Sequence, residues 1–459
     1  MKLRQSDAPV LVACPDARPP AFQAVIGLHR ARRLRGFLTS FYYNPNGRLA
    51  SFASRLNPRR FSRLEQILSR RHAPEIASSL VQAAPTIDLL LRLESRCHNK
   101  QPMLARALAR WRTSRFDAQV ARVIDRSRPD ALLTFSDVGS TVALPLCRKL
   151  GIKTIVSVVH GDVYDEQRLL EREKVTSPDF MRIYLGNDAL DRCHLAWLHE
   201  RRLRDLVLAD RVLVPSYHVA NGLVRRGLPI DRIRMIPYAA DCRRFRPKVG
   251  KRHESGCTFL FAGGISHRKG IKYLLEAWQR IHRPGWQLQL LGPMPADLGP
   301  LKPYLDIIKP LGRVSHADMP ARMASADVFV FPSLFEGSAV VTYEALACGL
   351  PSIVTPSAGS VVRDNIEGFI VPVSSVDPLA QRMEQLGSDA ELRAQMASAA
   401  RARGLAYDWP RYHEALIRAV DGLLQDDTTT SLESTDRCKI DLEAILSSKG
   451  VGPFLSSVT

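Results

Sequence analysis

Two doubly wound α/β lobes facing across a cleft are what the 459-residue chain predicts. Three observations carry the prediction. Short apolar runs alternate with helical patterns from Val10 onward, the βαβ signature of a parallel sheet. The alternation restarts at Thr258, after a segment from Arg243 to Ser255 that is rich in Arg and Lys and contains Pro247 and Gly250. The length also suffices for two or three separate cores. The expected division is an N-terminal lobe over 1–245, a C-terminal lobe over 255–403, an extra terminal helix over 404–425 and a mobile Thr-, Ser- and Asp-rich tail over 426–459.

In the first lobe, Val10 to Ala13 reads as a buried strand, Phe22 to Leu34 as a helix and Phe37 to Tyr43 as a second strand. Residues 48–128 are Arg-rich and mostly helical in pattern. Phe61, Leu64, Ile67 and Leu68, then Leu104, Leu108 and Trp111, stand at helical spacings that predict core stripes. Strands follow at Asp130 to Phe135, Thr154 to Val159, Arg211 to Pro215 and Met235 to Pro237, with helical patterns between them. His160 directly follows one of these strands, where a parallel sheet binds its ligands; it reads as a site residue or as a structural loop histidine.

The second lobe begins with a strand at Thr258 to Ala262, a turn Gly263-Gly264-Ile265-Ser266-His267-Arg268-Lys269-Gly270 and a helix from Ile271 to Ile281. After a strand at Gln287 to Leu291 comes a strand–loop–helix–strand unit from Val328 to Thr355. Its helix is expected to start after Gly337 with Ser338 as N-cap and to stop at Cys348-Gly349. Glu336 then sits just before that helix and Glu344 within it. Phe369 to Val371 forms a last strand, followed by helices from Asp377, Asp389 and Asp408.

The net charge of +19 is concentrated in the first quarter, where residues 1–128 hold 24 Lys and Arg against 8 Asp and Glu, a net +16. Such a segment suits an anionic surface, a membrane above all, or is simply an Arg-rich composition without a binding role. Nucleic acid is the weaker expectation, because no stacking aromatics or RNP and zinc-finger spacings accompany the charge. The eight cysteines show no ligand or disulfide spacing, which predicts reduced thiols and a cytoplasmic protein. No apolar stretch approaches the ~18 residues of a membrane span, so attachment to the inner face of a membrane would be peripheral.

A Gly-rich turn between strand and helix brings backbone N–H groups and a helix terminus to bear on an anion. Gly263, Gly264 and Gly270 build such a turn, and Arg268 and Lys269 add charged donors. The spacing is neither that of a Walker loop nor GxGxxG, so a solvated basic turn is the other reading. Glu336 can accept sugar hydroxyls. Glu344 can take the two hydroxyls of a ribose, or it is an exposed helix carboxylate. No Asp-x-Asp pair or His/Asp cluster suggests a metal, so neither metal nor cofactor is expected.

These residues resemble the retaining nucleotide-sugar glycosyltransferases of family 4, which have the GT-B fold. EGSAVVTYEALACGLPSIVT is similar to the family's paired-glutamate motif and LFAGGISHRKGIKYLLEAW to its phosphate loop. ADVFVFPSLFEG, ADRVLVPSYHVANGL, IPYAADCRRFRP and YDWPRYHEAL match its other segments in the family's order, over roughly residues 130–420. The resemblance implies a nucleoside-diphosphate-sugar donor in the C-terminal lobe and a terminal helix that crosses over to the first lobe. Glu336 and His160 would lie at the reacting centre and Glu344 on the ribose. Lys269, Arg268, Gly263, Gly264 and the backbone of Ser338, Ala339 and Val340 would hold the diphosphate. The acceptor, on the basic N-terminal lobe, would be a lipid-linked or surface polysaccharide precursor. Three departures stand out: Gly264 replaces the family's arginine, the glycine pair after the first strand is absent, and PYAAD replaces PYGVD. The alternative reading is a noncatalytic GT-B-like module that binds a membrane surface or partner through its basic segment.

Overall fold

The computed structural model describes residues 9–15, 19–45, 68, 71–97, 101–185, 192–248, 256–315 and 317–425. The tail 426–459, the stripe residues Phe61, Leu64 and Ile67, and residues 249–255 of the predicted linker lie outside them.

Two parallel sheets organise these residues. The first contains β1 (Val10–Ala13), β2 (Leu34–Thr39), β3 (Val81–Ala83), β4 (Ala131–Phe135), β5 (Lys153–Ser157), β6 (Arg211–Val214) and β7 (Ile233–Met235), in the spatial order β3-β2-β1-β4-β5-β6-β7. The second contains β8 (Cys257–Ala262), β9 (Trp286–Leu291), β10 (Lys309–Gly312), β11 (Val328–Phe331), β12 (Ser352–Val354) and β13 (Gly368–Ile370), in the order β10-β9-β8-β11-β12-β13. Central strands such as β1, β4, β6 and β11 are buried along their whole length. They therefore read as continuous apolar runs, as strands covered by helices on both faces must. In the second core Phe259, Phe261, Phe329, Phe331 and Trp278 have no exposure, each contributing about 1.5–3 kcal/mol of apolar burial.

Several boundaries differ from those predicted. The first helix is Pro19–Arg30 rather than Phe22 to Leu34, and β2 starts at Leu34. Arg32 takes a left-handed φ of 58°, which ends the helix before its apolar pattern does. The edge strands β3 and β10 have no counterpart in the sequence reading. β3 is three residues long with Gln82 and Ala83 exposed, and β10 contains Pro310, which only an edge strand tolerates. The predicted core stripe Leu104, Leu108 and Trp111 is also overturned. Helix Pro102–Ser127 buries Ala105, Ala109, Phe116, Val120 and Ile124 instead, leaving Leu104 and Trp111 exposed.

The terminal helix Trp409–Gln425 crosses back to the first lobe and packs on Pro19–Arg30. His413 Nε2 meets Gln23 Oε1 at 2.9 Å and Arg33 pairs with Asp421 at 3.1 Å. Among the described residues, no helix is long and apolar enough to cross a membrane.

Candidate functional site

The sheet order itself creates the site. β8 pairs with β9 on one side and β11 on the other, so the loops leaving β8 and β11 diverge and open a crevice beyond their carboxyl ends. The first of these loops is Gly263–Gly270 and the second Pro332–Ala339. Gly270 turns with φ 79°, and a Cβ there would stand 1.9 Å from the Pro332 carbonyl oxygen. Only glycine lets the two loops touch.

Glu336 is brought against both cations of the first loop. Its Oε1 is ion-paired with Lys269 Nζ, accepts from Ser333 Oγ at 3.4 Å and lies 3.9 Å from Arg268 Nη2. Burial pushes the Glu336 pKa up, but Lys269 and Arg268 outweigh it and hold the group below the usual carboxylate range. Two cations thus converge on one carboxylate, and Glu166 of the first lobe also acts on Arg268. Arg268 is anchored further by its backbone, which donates to Tyr184 O at 3.0 Å and accepts from Leu334 N–H at 2.9 Å. A Cβ at Gly264 would meet nothing within 4 Å.

The helix after Glu336 is Val340–Ala347, with Ala339 rather than Ser338 at its N-cap. The Ser338 hydroxyl instead donates to Gly359 O at 2.7 Å and lies 3.0 Å from Tyr343 Oη. The Ala339 N–H donates to Ala358 O at 2.9 Å, which engages one of the three backbone amides expected at the diphosphate. The helix stops at Gly349, whose φ is 66°, as read from the sequence. Glu344 lies about one turn into it, part-buried. Desolvation pushes its pKa up to about 7 against the opposing pull of Arg244.

His160 follows β5 and belongs to the opposite lobe, yet it borders the same crevice. A Cβ on Gly337 would lie 2.3 Å from Val159 O and 3.0 Å from His160 N, and one on Gly161 would lie 2.7 Å from the Phe335 ring. The lobes meet through these two glycines, and Ser216 Oγ donates to Gly337 O at 2.7 Å. His160 Nε2 lies 3.7 Å from Asp137 Oδ2. Asp137 holds a left-handed φ of 76° while its N–H donates to Asp205 Oδ2 at 2.7 Å. Arg202 bridges Asp137 at 3.1 Å and Glu166 at 3.7 Å, and His199 pairs with Glu166 at 3.2 Å. Sequence reasoning missed Asp137, Glu166, His199, Arg202 and Asp205. They come from three separate stretches, and the one signal on offer was Asp137 at the carboxyl end of β4.

Comparison with known proteins follows this geometry. Residues 68–244 match the model of "Glycosyltransferase Family 4", and residues 256–389 match "Glycosyl transferases group 1". The chain is 27% identical to the alpha-D-kanosaminyltransferase of Streptomyces kanamyceticus over 55% of this chain and 66% of that one. It is 30% identical to the D-inositol 3-phosphate glycosyltransferase of Pseudarthrobacter chlorophenolicus over 47% and 58%, and 30% identical over 36% and 50% to the GDP-mannose-dependent monoacylated alpha-(1-6)-phosphatidylinositol monomannoside mannosyltransferase of Corynebacterium glutamicum. The matched region thus spans about half to two thirds of these relatives. In fold it is similar to sucrose-phosphate synthase of Thermosynechococcus elongatus, with a TM-score of 0.64 at 17% identity over 91% of this chain and 99% of that one. Anabaena Alr3699/HepE, solved with UDP and glucose, gives a TM-score of 0.57 at 15% identity over 90% and 99%. With both lobes matched in order and the two parallel sheets arranged as in these neighbours, the chain belongs to glycosyltransferase family 4 and has the GT-B fold.

Proposed function

We propose that the protein transfers a sugar from a nucleoside-diphosphate sugar to an acceptor held by the N-terminal lobe, with retention at the anomeric carbon. The observation that carries this reading is the convergence of Lys269 and Arg268 on Glu336 at the crevice between β8 and β11, against the backbone of His160. The diphosphate takes over the two cations, assisted by the Ser338 and Val340 amides, the main chain at Gly263 and Gly264, and the helix terminus. Glu336, released from Lys269, accepts hydroxyls of the transferred sugar, and Glu344 accepts those of the ribose. In the reaction the bond from the anomeric carbon to the diphosphate oxygen breaks, with its electron pair going to the diphosphate. The acceptor oxygen bonds to the same face of the carbon, and its proton passes to the departing diphosphate. Cations already fixed at the leaving group stabilise the charge that develops there, so no metal is assigned to the step. Asp137 orients His160 beside the reacting centre.

A lipid-linked or surface polysaccharide precursor is the acceptor we propose, at the cytoplasmic face of a membrane. Two things support it. One relative is named for a phosphatidylinositol mannoside acceptor, and the basic first lobe exposes Leu89, Met103 and Trp111 on neighbouring helices. Pelleting with anionic but not neutral liposomes, lost at high salt, is the expected behaviour; pelleting with neither would remove the membrane from the account. A panel of nucleotide sugars tested for protection against thermal unfolding identifies the donor, and NMR of the product reads the anomer. Protection by none of them would favour a noncatalytic module docking through its basic segment.

A further inference from the structure

A charged side chain with no part in this chemistry lies fully buried where the lobes meet. Glu173 stands near the end of helix Val163–Thr176, which begins three residues after His160, and its side chain has no exposure. Its Oε2 accepts from the Tyr273 hydroxyl at 2.8 Å and the Ser177 hydroxyl at 3.0 Å, and lies 2.9 Å from His267 Nε2. Its Oε1 accepts from Ser374 Oγ at 2.8 Å and Arg172 at 3.3 Å. His267, Tyr273 and Ser374 belong to the C-terminal lobe. A carboxylate is buried at high cost unless its lone pairs are engaged, and here both oxygens are. Burial raises the Glu173 pKa, but the hydrogen bonds from His267, Tyr273 and Ser374 bring it down to about 2.

His267 opens the 3-10 turn His267–Lys269 and is itself without exposure. Its ring stacks on Tyr273, 6.0 Å between centroids at 22°, and meets Phe180 at 5.7 Å. The next two residues are Arg268 and Lys269. The first lobe grips this turn a second time, because the Arg268 N–H donates to Tyr184 O.

We propose that Glu173 is a positioning residue of the donor site: through His267 it fixes the turn that aims Arg268 and Lys269, and it does so only while helix Val163–Thr176 is seated on the C-terminal lobe. The proposal rests on the reading of this turn as the diphosphate site. From Val163 to Glu173 the helix rises about 15 Å, so one continuous helix runs from beside His160 to the diphosphate turn. Seating the lobes and aiming the cations are then one event, and a bound diphosphate strengthens the seating as much as the seating strengthens its binding.

The test is calorimetric titration of UDP, GDP, ADP and dTDP into wild type, Glu173→Ala and Glu173→Gln, with amide exchange of residues 266–270 followed in each. At least one nucleotide binds the wild type. Glu173→Ala weakens it about tenfold, an ordinary coupling, and speeds exchange of the turn. Glu173→Gln keeps an oxygen for His267 and Tyr273 and donates to Ser374, so it restores affinity to within about threefold. A folded Ala variant that binds as tightly as wild type overturns the positioning role and leaves the donor reading standing. Equal loss in the Ala and Gln variants overturns the hydrogen-bonded hold. Wild type that binds none of the four nucleotides overturns the donor reading and this inference together. If the Ala variant does not fold, Tyr273→Phe combined with Ser374→Ala replaces it, and unchanged affinity there also overturns the role.

Discussion

The two lobes hold their charges in opposite ways. On the C-terminal side, Lys269 and Arg268 converge on the carboxylate of Glu336, with Glu166 of the first lobe also acting on Arg268. On the N-terminal side, Asp137, Glu166, His199, Arg202 and Asp205 form a linked network beside His160. Cations gathered on one acidic partner can exchange it for an anion, whereas a linked network holds side chains in place. In the proposed function the first arrangement captures the ligand and the second orients His160, and the contacts of Gly337, Gly161 and Glu173 join the two lobes.

Breaking this convergence gives the largest effect. Lys269→Ala is expected to lower kcat by about 10²–10³-fold, the size of losing one fixed donor to a developing charge, and to weaken nucleoside-diphosphate binding in calorimetry. Breaking the junction comes next. Gly337→Ala places a methyl 2.3 Å from the Val159 carbonyl oxygen of the opposite lobe. Steady-state assays should show kcat reduced about 10²-fold, the cost of misplacing reacting groups by roughly 1 Å. Unchanged kcat would mean that the lobes do not need this contact.

Glu344 sharpens the comparison through pH. Its pKa is raised to about 7, so it is protonated below neutrality in the free protein, whereas a ribose calls for the carboxylate. Nucleotide affinity is expected to fall about tenfold per pH unit below 7, and Glu344→Gln should abolish that slope. The Glu173 pKa is shifted the other way. Its folded pKa, about 2, lies below the ordinary 4.5, so its contribution to stability is present above 4.5 and is lost as pH falls toward 2. Acid unfolding curves of Glu173→Gln should be flatter than wild type in that window. The smallest effect is expected from Gly264→Arg. A Cβ there would meet nothing within 4 Å, so thermal stability should stay within about 0.5 kcal/mol of wild type, with donor affinity unchanged or modestly higher.

The legibility of the sequence follows the same divide. Glu336, Glu344, Lys269 and the glycines of the first loop were readable because β8 and β11 are short apolar runs that end abruptly in turn residues, so the loops that follow them stand out. The helix end at Gly349 was readable because a left-handed residue there favours glycine. Asp137, Glu166, His199, Arg202 and Glu173 were not, since their partners are tens of residues away and each lies on a helix or loop without a local pattern. The edge strand β10 hid behind Pro310. Leu104 and Trp111 misled because an apolar spacing marks a helix face but not which side of the helix the sheet will cover.

The central claim, that the Lys269–Arg268–Glu336 crevice works on a nucleoside-diphosphate sugar, is tested most directly by nucleoside-diphosphate release from a panel of nucleotide sugars. Wild type and Glu336→Ala are to be compared at matched thermal stability. The account predicts release from at least one donor by the wild type and its loss in the variant; equal release by both proteins with that donor would contradict it.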